Sequence, residues 1–140
     1  MLKQIRILKE PKIVLDKAQI TALDICDTTQ KGFVDICVQF NDALINSLDQ
    51  KPYQGTASLT IHNVALSDIK IMYFTDTTPH QRVSLSQFKS DIRQLKVEVK
   101  KEYYNHHEVF ISAQIDRAQK PLFIGLEIPH HGEVHYHYQK

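Results

Sequence analysis

Apolar and polar residues alternate with a period of two along most of this chain. Residues 56–63 set Ala57, Leu59 and Ile61 against Ser58, Thr60 and His62. Residues 95–103 set Leu95, Val97 and Val99 against Lys96, Glu98 and Lys100. Val109, Ile111, Ala113 and Ile115 share one side of 108–115, and Leu122, Ile124, Leu126 and Ile128 share another. Residues 20–27, 33–40, 67–74 and 134–138 follow the same rule. Residues 4–9 alternate weakly, and 12–16 form a short apolar run. Side chains of a strand point alternately to opposite faces, so these segments read as half-buried strands. Short polar links at 9–11, 27–32, 105–107, 117–120 and 130–132 read as hairpin connections, which make antiparallel neighbours.

Helix signals are few. Ser84 followed by Gln87 has the capping-box pattern. Leu85, Phe88 and Ile92 then fall on one helical face. This predicts one short helix near residues 84–94. Asp42 reads as the cap of a short turn through Leu44, Ile45 and Leu48, and 76–82 as a loop. The expected fold is mainly β: a single domain over 1–140, an antiparallel sheet (sandwich, half-barrel or curled sheet) of about eight to ten short strands with one helix packed on it.

Matching the apolar faces of the first hairpin sets Ile25 opposite Val34 and Asp24 opposite Asp35. Cys26 and Cys37 then lie about four residues apart along the ladder. At ~3.4 Å per residue that exceeds disulfide reach, so two reduced thiols are expected. The N-terminus has charges every two or three residues and no continuous apolar stretch. It does not read as a signal peptide, and a cytoplasmic location is expected.

Composition narrows the function. Apolar residues make up 42% and charged residues 24% of the 140 residues, which fits a globular domain. No apolar run is long enough to span a membrane. Seventeen Lys and Arg against sixteen Asp and Glu are spread evenly from end to end, which argues against a nucleic-acid partner. No Gly-x-Ser-x-Gly elbow or phosphate-binding glycine loop is present, and no carboxylate or cysteine arrangement has catalytic spacing. The chain therefore reads as non-enzymatic, with no cofactor required.

Histidine is the unusual count: eight in all, six of them after residue 105. On a strand, His135 and His137 point the same way, Glu133 shares their face, and His130 can fold over from the hairpin link. That set could hold Zn²⁺ or another divalent metal; the competing reading is a wet strand face. The aromatic and imidazole residues Tyr103, Tyr104, His106, His107, Tyr136 and Tyr138 read as a partner-binding patch, because aromatic side chains carry much of the energy at protein interfaces.

Residues 15–25 (Leu-Asp-Lys-Ala-Gln-Ile-Thr-Ala-Leu-Asp-Ile), the strand 33–40 and the segment Ser58-Leu-Thr-Ile-His-Asn-Val64 together resemble the small β-rich immunity proteins of bacterial polymorphic toxin systems. The resemblance covers residues 15–74, and the Trp often found near the start of such proteins is absent. It implies a surface that binds and blocks another protein, with no catalytic residues. A ligand- or metal-binding β domain using the C-terminal histidines is the alternative expectation. A structural subunit of a larger assembly, such as a phage particle, is another, and a homo-oligomer is compatible with each.

Overall fold

A computed structural model describes residues 12–47, 50–116 and 120–139. Its strands are β1 (Lys12–Val14), β2 (Gln19–Gln30), β3 (Phe33–Ser47), β4 (Gln50–Val64), β5 (Lys70–Phe74), β6 (Gln81–Arg82), β7 (Val97–Tyr104), β8 (Glu108–Ile115), β9 (Leu122–Pro129) and β10 (Val134–Gln139). A helix, α1 (Leu85–Gln94), precedes β7. The strands form one antiparallel sheet in the order β10-β4-β3-β2-β7-β8-β9-β5-β6, with β1 also paired to β3. This is the mainly antiparallel β architecture with one short helix that the alternation predicts. The expected strand at 4–9, the link at 9–11, the Leu48 end of the expected turn and most of the link at 117–120 lie outside the described residues. Among the described residues, no helix is long and apolar enough to cross a membrane.

The sheet has two wings. β2 meets β7 only through Gln19↔Glu98 and Ile20↔Val97. On one side of that narrow join run β2, β3, β4 and β10; on the other run β7, β8, β9, β5 and β6. Both wings contribute to one apolar core. Leu23, Ile36, Val38, Phe40, Leu59 and Ile61 come from the first, and Val97, Val99, Ile111, Ile115 and Leu126 from the second. The helix lies beside β2 and β5: Lys89 Nζ is 3.5 Å from Asp24 Oδ1, and the Tyr73 hydroxyl donates to Asp91 Oδ2 at 2.7 Å. Its buried residues are Phe88 and Ile92, each contributing about 1.5–3 kcal/mol by leaving water. Ser84 is the N-cap, its Oγ accepting from Gln87 N at 3.1 Å, an interaction of about 1 kcal/mol. The Gln87 side chain does not complete a capping box; it donates to Asp91 Oδ1 at 2.9 Å.

Bulges interrupt the period of two and correct several expectations. Asp42 sits at φ 60° where the β3–β4 register slips. Phe40 points inward, and the next inward residue is Ala43. What reads as a helix cap is therefore a phase shift within a continuing strand. A slip between Val99 and Lys101 does the same to β7, turning Glu102 and Tyr104 to the side that Val97 and Val99 occupy. In the first hairpin, Ile25 pairs with Ile36, not Val34; Asp24 pairs with Cys37, and Asp35 faces Asp27. Cys26 is the extra residue of a bulge, its Sγ donating to the Asp35 carbonyl at 3.5 Å. Cys26 therefore lies two positions along β2 from Asp24, the partner of Cys37, and not four residues away. Both cysteines are free, and burial pushes both thiols above their ordinary pKa. Ile25, expected on the buried face, is 46% exposed although its partner Ile36 is fully buried; β2 pairs with β7 at Gln19 and Ile20 and no longer does so at Ile25.

Candidate functional site

The most organised polar cluster grows from another bulge. Asn63 adopts φ 57°, a left-handed conformation that Asn tolerates better than most residues. The β3–β4 register slips here, from Val34↔Val64 to Ile36↔Ile61. Bulges re-aim side chains. This one directs His62 across the outer face of the sheet, with Asp35 of β3 on one side and His135 of β10 on the other. Asp35 Oδ2 lies 2.9 Å from His62 Nδ1, and Asp35 Oδ1 accepts from the Asn63 backbone at 3.1 Å. His62 Nε2 lies 3.1 Å from His135 Nδ1, and His135 Nε2 lies 3.0 Å from Glu133 Oε1. The result is a continuous chain: carboxylate, imidazole, imidazole, carboxylate.

Backbone contacts fasten the β9–β10 link onto this bulge. His62 N donates to the Glu133 carbonyl at 3.0 Å, and His131 N donates to the Asn63 carbonyl at 2.9 Å. Gly132 lies against His62, where an added Cβ would come within 2.7 Å of the His62 Cβ and 2.9 Å of its carbonyl oxygen. Only glycine permits that approach without a shift. Asp35 is buried, 6% exposed. The two imidazoles remain about one-third exposed, at 31% and 33% for their side chains. A carboxylate only accepts, so the outer ring nitrogens, His62 Nδ1 and His135 Nε2, are the donors to Asp35 and Glu133.

The residues singled out by sequence are dispersed in a definite way. His135 and Glu133 are brought together. His137, two positions along β10, is exposed and lines a shallow groove with Tyr138, Thr21, Gln39 and Ser58. His130 turns inward, 3% exposed, its Nδ1 donating to the Gly132 carbonyl at 2.8 Å and its Nε2 without a hydrogen-bond partner among the described residues. Burial holds its pKa below the usual histidine value, and the neighbouring His107 and His131 lower it further. Among the described residues, no group of three His, Cys, Asp or Glu side chains is arranged to hold a metal ion.

The tyrosines divide by strand parity. Tyr104 and Tyr136 turn toward the core and meet edge to face, 5.9 Å between ring centres. Their hydroxyls donate to Glu102 Oε1 at 2.7 and 3.0 Å, and Leu15 N donates to Glu102 Oε2 at 3.1 Å. Burial raises the Glu102 pKa, and the charge of Asp16 adds to the rise, while the Tyr136 and Leu15 hydrogen bonds oppose it. Tyr103 (57% exposed) and Tyr138 (42%) remain outside. Tyr103 keeps company with Phe110, 6.1 Å away, near the tip that carries His106 and His107. That tip touches the β9–β10 link: His130 N donates to the His107 carbonyl at 2.8 Å. His131 in turn packs edge-on against Phe33 at 5.6 Å. One end of the molecule thus gathers His62, His106, His107, His131 and His135 with Phe33 and Tyr103.

Sequence alone places His62 on a polar face and leaves Asp35 facing Asp24. The signal for their true positions is the three-residue step from Ile61 to Val64 between inward positions, with Asn63 inside it. Comparison with protein-family models, curated proteins and solved structures finds no match.

Proposed function

We propose that this chain is a non-enzymatic binding domain that engages another protein through its imidazole-rich end and masks the surface it covers. The observation that carries the reading is the contact between the β7–β8 tip and the β9–β10 link, which joins exposed His106, His107 and Tyr103 to exposed His131. Rings of this kind offer flat apolar area with a polar edge, a combination suited to the core of an interface. Imidazoles that gain a proton on meeting an acidic surface add charge complementarity. The resemblance of residues 15–74 to immunity proteins favours a partner encoded beside the chain. Tyr104 and Tyr136 belong to the fold in this reading, and Tyr103, His106 and His107 to the contact surface.

The test is co-expression with the product of the adjacent gene. The expected result is co-purification with the tagged chain and suppression of the partner's activity. A variant combining Tyr103→Ala, His106→Ala, His107→Ala and His131→Ala should unfold like the wild type and lose both. Unchanged capture and suppression by that variant would overturn the assignment of the surface. No capture by the wild type would overturn the partner.

A further inference from the structure

We propose that His62 and His135 form a divalent transition-metal site, suited to Zn²⁺, in which the protein supplies two imidazole nitrogens and solvent fills the remaining positions. The facing nitrogens, His62 Nε2 and His135 Nδ1, are 3.1 Å apart. Two Zn–N bonds of ~2.0–2.1 Å at a near-tetrahedral angle place their nitrogens about 3.3 Å apart, so a few tenths of an ångström of ring movement admits the ion. The rings are not stacked. Their planes meet at 73° with centres 5.1 Å apart.

The groups behind the two rings favour the same chemistry. Metal-ligating histidines generally give their other N–H to a carboxylate, which fixes the tautomer and strengthens the ligand. Here both do so: His62 to Asp35 at 2.9 Å and His135 to Glu133 at 3.0 Å. Asp35 is itself held by the Asn63 backbone N–H. Partial exposure of both rings gives the ion access from water. The ion takes the lone pairs of the two facing nitrogens, any proton between them passing to solvent, and each outer nitrogen keeps the proton it donates to its carboxylate. The site stands apart from the partner-binding reading, and neither requires the other.

Isothermal titration of Zn²⁺ into the full chain at about pH 7.5, where ligating imidazole is neutral, tests it. The expected result is one saturable ion per chain. His62→Ala and His135→Ala should each abolish that binding. Asp35→Asn should weaken it about 10–100-fold, and His137→Ala should leave it unchanged. Should His62→Ala fail to fold, His135→Gln on the edge strand gives the same reading. Zinc uptake that survives both His62→Ala and His135→Ala would mean adventitious binding by other histidines and would overturn the proposal. So would the absence of a saturable site in the wild type.

Discussion

Replacing Gly132 by Ala probes the join between the β9–β10 link and the β4 bulge. The new Cβ would meet His62 Cβ at 2.7 Å, its carbonyl oxygen at 2.9 Å and its carbonyl carbon at 3.0 Å. Comfortable carbon contacts begin at about 3.5 Å, so the link must lift by roughly 0.5–1 Å. Forcing a methyl group into a packed position costs about 1–3 kcal/mol. Lifting the link also stretches the bonds from His62 N to Glu133 O and from His131 N to Asn63 O, each contributing about 0.5–1.5 kcal/mol. A loss of about 2–4 kcal/mol is expected. Gly32→Ala is the control. Its Cβ would meet nothing within 4 Å, but the backbone is at φ +85°, so a cost of about 1–2 kcal/mol arises from conformation alone. Equilibrium urea unfolding of both variants measures the two losses, and NMR of the imidazole nitrogens reports the site. Gly132→Ala should disturb the His62 and His135 signals and Gly32→Ala should not. If Gly132→Ala unfolds at the wild-type midpoint with an unchanged slope, the close approach of link to bulge is refuted.

Two further expectations concern pH. The folded-state pKa of Glu102 is raised by burial, so the folded chain holds its proton more tightly than the unfolded chain does. Its contribution to stability is fully present below the ordinary carboxyl range near 4.3 and is lost as pH rises through the raised value. The stability of the wild type relative to Glu102→Gln should therefore fall with rising pH in that window, and a pH-independent difference in urea midpoints would contradict this. His130 has the opposite sense, its folded-state pKa being lowered by burial. Its contribution is complete above about pH 6.5 and is lost as pH falls toward the lowered value. The wild type should lose more stability than His130→Gln between neutral and mildly acidic pH, and parallel thermal-unfolding curves would contradict it.

Elements were legible in this sequence where one rule held without interruption. β8 and β9 keep strict alternation, Val109 to Ile115 and Ile124 to Ile128 pointing inward at every second residue. The helix was legible because Ser84, Phe88 and Ile92 combine a cap with one apolar face. Bulges hid the rest, because an inserted residue reverses parity while leaving composition untouched. At Asp42 the reversal resembled a helix start, at Cys26 it displaced the hairpin register, and at Lys100 it exchanged Lys101 and Tyr103 for Glu102 and Tyr104 as inward residues. His135 and Glu133 were recognisable as neighbours because they share a strand face. Their partners His62 and Asp35 were not, since the contact depends on β10 returning beside β4, a pairing across 73 residues that local pattern does not encode.

The chain of contacts from Asp35 through His62 and His135 to Glu133 is tested most directly by long-range ¹H–¹⁵N NMR of the histidine rings near neutral pH. The N–H of His62 Nδ1 and of His135 Nε2 should each be observed, slowed in exchange by its carboxylate, with Overhauser contacts between the two rings. Independent, rapidly exchanging imidazoles with no contact between them would contradict the assembled site.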